Sequence, residues 1–316
     1  MYINSIGMYV PSERVYNDYF LQVNGLTSEW IEQRTGIKSR SHASEKENQF
    51  TMGIDAVEDA LPSLPYDIKE VDLIVGAAYA AYDTVGTVGH VAQRQYDISK
   101  AKVIYASSAC SSFINGMEII ECYFKAGKAS KALLICSEHN SYYANESDPK
   151  SGHLWGDAAV AYFVSKDRVA PTDWKVIDVF TEGLGNLGKG PNGVLLRPKE
   201  EGISMPDGRD VFIHACRYMI YALQQSLANA NMDIDQLGHI ITHQANMRIV
   251  AQVAHLLDKP MDFFLNNIQE LGNTGSASAP LVLAQEKENL APGEIVALTV
   301  FGGGYSCGTI LIQKPE

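Results

Sequence analysis

Short apolar strands repeat in this chain at a separation of about half its length, and that repetition limits the folds open to it more than any other feature. Residues 71–76 (VDLIVG) are echoed by 237–242 (LGHIIT), and residues 131–136 (KALLIC) by 294–299 (EIVALT). Residues 156–163 (GDAAVAYF) have a counterpart, slightly closer, in 307–312 (CGTILI). A strand-to-helix turn at Cys110 pairs with a second turn at Asn273. A long, nearly constant period is what a duplicated supersecondary unit leaves in a sequence. The strands are continuously apolar rather than alternating, as in strands covered on both faces. The expected fold is α/β with two duplicated halves, residues 1–170 and 171–316, divided where Val169-Ala170-Pro171-Thr172-Asp173 interrupts the pattern. From 182 to 210 a dense run of glycines and prolines reads as loops at the surface or over a site.

Composition excludes several function classes. The chain has 316 residues, 46% hydrophobic and 20% charged, which suits a packed globular protein. Its net charge of −12 argues against non-specific binding to nucleic acid or an anionic membrane. No apolar run approaches the ~20 residues that span a bilayer. The start, Met1-Tyr2-Ile3-Asn4-Ser5, lacks the basic and apolar parts of a signal peptide, so a cytoplasmic setting is expected. Five scattered cysteines fit a reducing compartment better than a disulfide framework. Neither CxxC nor HExxH occurs, so no metal site is expected.

Cys110 is the strongest chemical candidate. It follows the β-like run Val103-Ile104-Tyr105-Ala106 and opens a helical pattern at Ser111-Ser112-Phe113. Amide groups at a helix start and the helix dipole favour an anion, so the thiol is expected to have a lowered pKa and to be the cysteine most readily alkylated. His243 follows a buried strand, at the end that faces the ligand crevice in α/β sheets. Asn273 lies in a Gly-Asn-Thr-Gly turn, and Phe301-Gly302-Gly303-Gly304 could bring a backbone N–H close to an oxyanion. A cysteine served by a distant His and Asn is a recipe for acyl transfer.

Six segments in order carry a resemblance. They are Trp30-Ile31-Glu32-Gln33-Arg34-Thr35-Gly36-Ile37, Ser108-Ala109-Cys110-Ser111-Ser112-Phe113, Trp155-Gly156-Asp157-Ala158-Ala159, His243-Gln244-Ala245-Asn246-Met247-Arg248, Gly272-Asn273-Thr274 and Phe301-Gly302-Gly303-Gly304. Together they resemble β-ketoacyl-acyl-carrier-protein synthase III of the thiolase superfamily, nearly end to end. The resemblance implies a thiolase-like fold layered αβαβα, usually a homodimer. It implies that Cys110 takes an acyl group from acyl-CoA, which is a substrate rather than a cofactor. Malonyl on acyl carrier protein would then lose CO2 while His243 and Asn273 hold its carbonyl, and the N–H groups of Cys110 and Gly303 would hold the oxyanion. Trp30 and Arg34 would hold the adenine and phosphates of CoA, with Arg248 at the tunnel mouth.

The sequence also departs from that pattern. Ser112 stands where the family usually has glycine. Val85 aligns with the aromatic that crosses a dimer to cap the acyl pocket, which implies a roomier pocket. Ile213, His255 and Leu256 occupy positions that are commonly basic, and only Lys150 stands near another, so the carrier-docking face is atypical. Two other readings stay open at this point: acyl transfer from Cys110 to a non-malonyl acceptor, and a non-catalytic subunit of a heterodimeric synthase.

Overall fold

A computed structural model describes residues 1–200 and 202–316. Among them, nine strands form one sheet: β1 (Tyr2–Tyr9), β2 (Leu73–Ala77), β3 (Lys102–Ala106), β4 (Lys131–Glu138), β5 (Ala158–Ser165), β6 (Trp174–Gly183), β7 (His239–Thr242), β8 (Ile295–Gly302) and β9 (Ser306–Gln313). Their spatial order is β7-β8-β9-β6-β1-β5-β4-β2-β3. The seam is short: only Tyr2 with Lys175 and Ile3 with Trp174 join β1 to β6.

Read outward from the seam, the two sides have the same arrangement. One side runs β1-β5-β4-β2 and the other β6-β9-β8-β7. On each, the first two pairings are antiparallel and the third is parallel. The segments matched in the sequence therefore occupy equivalent strands. β3 has no counterpart and forms the free edge beyond β2.

Strand alternation sorts the side chains into layers. On β8, Val296, Leu298 and Val300 join a central core, while Ala297 and Phe301 face an outer one. On β4, Ala132, Leu134 and Cys136 face the central core, and Leu133 and Ile135 face away. Helix α1 (Ser28–Thr35) borders the site described below. Helix α2 (Gln49–Ala60) covers one outer face through Met52, Ala56 and Val57. Helices α4 (Gly208–Asn229) and α5 (Met247–Leu256) cover the other. Two helices lie in the central core: α3 (Ser112–Lys125), with Phe113, Ile114 and Met117, and α6 (Ser278–Glu286), with Leu281, Val282 and Leu283. Residues 278–284 of α6 are all buried, which is why that helix has almost no polar face. The result is the expected layered α/β architecture.

Candidate active site

Cys110 follows β3 and Asn273 precedes α6, while His243 and Gly303 directly follow β7 and β8. All four line one inner cavity. Distant parts of the chain thus converge because each lies at the end of a strand or the start of a helix in the central layer.

The Cys110 turn is held by hydroxyls. Ala109 takes a left-handed φ of 49°, which turns the chain sharply before the cysteine. Ser112 Oγ accepts the Ser108 N–H at 2.8 Å and donates to the Ala109 carbonyl at 2.6 Å. The serine in place of the family's glycine therefore staples the turn. Ser111 Oγ lies 2.7 Å from the Ser108 carbonyl and 2.6 Å from Ser306 Oγ on β9, joining the two sides of the molecule. Against this turn sits the β8 end. A Cβ on Gly302 would fall 2.6 Å from the Ser108 carbonyl oxygen, and one on Gly303 would meet Val194, Tyr79 and Ala109. At Gly302 only glycine permits that approach.

His243 is buried, and its Nδ1 lies 2.8 Å from Ser278 Oγ at the start of α6. Ser278 Oγ also accepts the Gln244 N–H at 3.3 Å, and in the tautomer in which it donates its own hydrogen to Nδ1 the ring proton sits on Nε2. Burial pushes the His243 pKa down to about 4, so the ring is neutral at ordinary pH. The Asn273 amide is oriented too. Its Oδ1 accepts the Gly275 N–H at 3.0 Å, which leaves the Nδ2 hydrogens for a ligand. The Asn273 backbone pairs with Leu154 and Gly156, and a Cβ on Gly156 would fall 2.0 Å from the Leu271 carbonyl oxygen.

The thiol departs from expectation. α3 begins at Ser112, one turn residue beyond Cys110, and Cys110 is only 7% exposed. Burial pushes its pKa well up, and the nearby Glu138 carboxyl adds to the shift. Among the described residues no Lys or Arg lines the cavity, so burial leaves the thiol without a cation beside it. The expectation of selective alkylation changes with it, since Cys122 on α3 is exposed.

The mouth lies between α1, α4 and α5. Trp30, Arg34 and Arg248 meet there, with the Arg34 guanidinium 5.2 Å from the Trp30 ring centre. Lys150 and Arg209 add two cations. The mouth has a volume of about 520 Å³, against about 30 Å³ free in the inner cavity. Met205 lines both and marks the way in. Val85 is not among the residues this chain brings to the cavity; it is 84% exposed at the surface.

Glu138, Ser278, Tyr79 and Arg209 escaped the sequence reading. Glu138 is fully buried at the end of β4 and accepts the Tyr79 N–H at 2.9 Å, the Ser276 N–H at 2.9 Å and the Ser276 hydroxyl. Burial raises its pKa to about 8. A lone carboxylate closing the apolar run KALLICSE was the available signal. The other three carry none, because their partners are remote in sequence.

Residues 106–185 and 227–314 match the family models for 3-oxoacyl-[acyl-carrier-protein] synthase III and for its C-terminal part. A β-ketoacyl-[acyl-carrier-protein] synthase III from Acholeplasma laidlawii is 31% identical over 98% of this chain and 97% of its own length. The chain belongs to the 3-oxoacyl-[acyl-carrier-protein] synthase III family. The solved synthase III of Aquifex aeolicus superposes with a TM-score of 0.91 at 29% identity, covering 99% of both chains. A priming β-ketosynthase of the R1128 polyketide pathway superposes with a TM-score of 0.90 at 25% identity, covering 99% of this chain and 96% of its own. The synthase III fold thus accounts for the whole described chain, and the Cys110, His243 and Asn273 segments lie within that shared fold.

Proposed function

We propose that this protein is an acyltransferase of the condensing type. It joins an acyl group from acyl-CoA to a malonyl thioester on acyl carrier protein by decarboxylative Claisen condensation through acyl-Cys110. The observation that carries the reading is the meeting of Cys110, His243, Asn273 and Gly303 in one buried cavity, reached from a cationic mouth.

In the first half-reaction the Cys110 sulfur bonds to the acyl carbon and the bond from that carbon to the CoA sulfur breaks. The thiol proton ends on the departing CoA sulfur. Trp30 offers a stacking face, and Arg34 and Arg248 offer charge for phosphates. In the second, the malonyl thioester oxygen accepts hydrogen bonds from Asn273 Nδ2 and His243 Nε2. The bond to the carboxylate breaks, CO2 leaves, and its electron pair forms the enolate. The enolate carbon attacks acyl-Cys110, the Cys110 and Gly303 N–H groups hold the oxyanion, and the Cys110 thiolate departs and is protonated. Negative charge develops at each oxygen, so neutral donors in a dry site suit the chemistry better than a strong base. A thiol kept protonated at rest is also protected until substrate arrives.

The docking face and the assembly belong to this proposal. Ile213 and Leu256 are 52% and 55% exposed, so the carrier meets an apolar stripe beside the basic mouth. We read the protein as a homodimer, with the exposed Val85 loop and the free β3 edge as the surfaces available to a second copy. Among the described residues no helix is long and apolar enough to cross a membrane; a cytoplasmic setting is the reading we keep. Trapping acyl-Cys110 by mass spectrometry and then adding malonyl-carrier tests the sequence of steps. Release of the label as a β-ketoacyl product supports it, and transfer of the unextended acyl group contradicts it.

A further inference from the structure

Tyr79 and Trp155 give the inner cavity two donors that the steps above do not use. Trp155 lines the cavity, is 2% exposed, and its Nε1–H has no acceptor among the described residues. Tyr79 lines the same cavity and carries a hydroxyl donor. That hydroxyl would lie 3.3 Å from a Cβ on Gly303, which places it beside the oxyanion turn. Met205 lines both cavity and mouth, whereas Tyr79 and Trp155 line only the cavity.

Both donors are held in place. The two rings meet edge to face at 6.1 Å and 72°. The Tyr79 N–H is fixed by the Glu138 carboxyl and its carbonyl by Ser107 Oγ at 2.9 Å. Trp155 pairs through its backbone with Asn273, and its carbonyl lies 3.2 Å from His42 Nε2. A buried donor without an acceptor is costly, and a ligand that supplies one relieves that cost where an alkyl chain cannot. The cavity is also small, so a short acyl group suits it better than a long one.

We propose that the acyl group Cys110 accepts is short and oxygenated, an oxo- or hydroxyacyl group whose oxygen is held by the Tyr79 hydroxyl and the Trp155 Nε1–H. This deepens the proposed function and rests on acylation of Cys110. The chemistry is the same thioester exchange: the Cys110–acyl bond forms, the acyl–CoA sulfur bond breaks, and the thiol proton leaves on the CoA sulfur.

Rates of Cys110 acylation by acetoacetyl-, 3-hydroxybutyryl- and butyryl-CoA, followed by mass spectrometry, test it. In the native protein an oxygenated four-carbon group should react about tenfold faster than butyryl or more. In Tyr79→Phe and Trp155→Phe, which keep the ring shapes, the ratio should fall, and in the double variant it should approach one. Because the ratio is taken within each variant, a general loss of activity cancels. A native ratio at or below one, or a ratio unchanged in all variants, overturns the inference while leaving acyl transfer standing. Failure of every thioester to label Cys110 overturns both.

Discussion

At the residue scale, environment rather than type sets what each group does. The start-of-helix position of Cys110 was legible in the sequence, but the direction of its pKa was not. That direction depends on burial by residues from both halves and on Glu138, 28 positions away. His243 and Asn273 were legible because each stands in a short polar stretch after an apolar one. Their orientation was not, since it comes from Ser278 and Gly275. Replacing His243 or Asn273 by alanine should cost decarboxylation about 10²–10³-fold and acylation much less, checked by single-turnover labelling of Cys110 beside CO2 release. Equal loss in both steps would refute the division of labour. The pH behaviour follows from two buried groups. His243 falls to about 4 from an ordinary 6.5, so the unfolded chain binds more protons between those values and the His243 contribution to stability is lost as pH falls through them. Glu138 rises from 4.5 to about 8, so the folded chain binds more protons there and stability declines as pH rises through that window. Thermal melting of Glu138→Gln should lose the decline between pH 5 and 8 that the native protein shows. An identical decline in the variant would remove Glu138 as its source.

At the element scale, the repeated apolar segments foretold the strands well. Each matched pair occupies an equivalent place on either side of the β1–β6 seam. Local pattern sufficed because these strands are buried on both faces and read as unbroken apolar runs. The turns between elements were harder. The run from 182 to 210 was seen as loops, but that its Val194 and Met205 would wall the cavity depends on the fold. The β8 end and the Cys110 turn are coupled by contact, so Gly302→Ala should disturb both. Its Cβ would intrude on the Ser108 carbonyl. Overpacking of this kind typically costs about 1–3 kcal/mol, and here it should also lower acylation of Cys110. Chemical denaturation together with acylation rates checks this. A variant as stable and as fast as the native protein would show that the turn yields freely.

At the scale of the whole molecule, the proposed function requires a chain of net charge −12 to receive an acidic carrier and anionic CoA. It concentrates Arg34, Lys150, Arg209 and Arg248 at the mouth and leaves Ile213 and Leu256 apolar beside it. Association with carrier should therefore respond only modestly to salt. Ile213→Lys with Leu256→Lys should raise the association rate severalfold at low ionic strength, an advantage that disappears at high salt. Stopped-flow measurements at two salt concentrations decide it, and no gain at low salt would place the carrier elsewhere. The most direct test of the central claim couples two readouts in one reaction. The protein, an acyl-CoA that labels Cys110 and malonyl-carrier are combined, and CO2 and β-ketoacyl-carrier are measured together. The account predicts equal amounts of both, abolished in Cys110→Ala. Product formed without CO2, or condensation that persists without the Cys110 thiol, would contradict it.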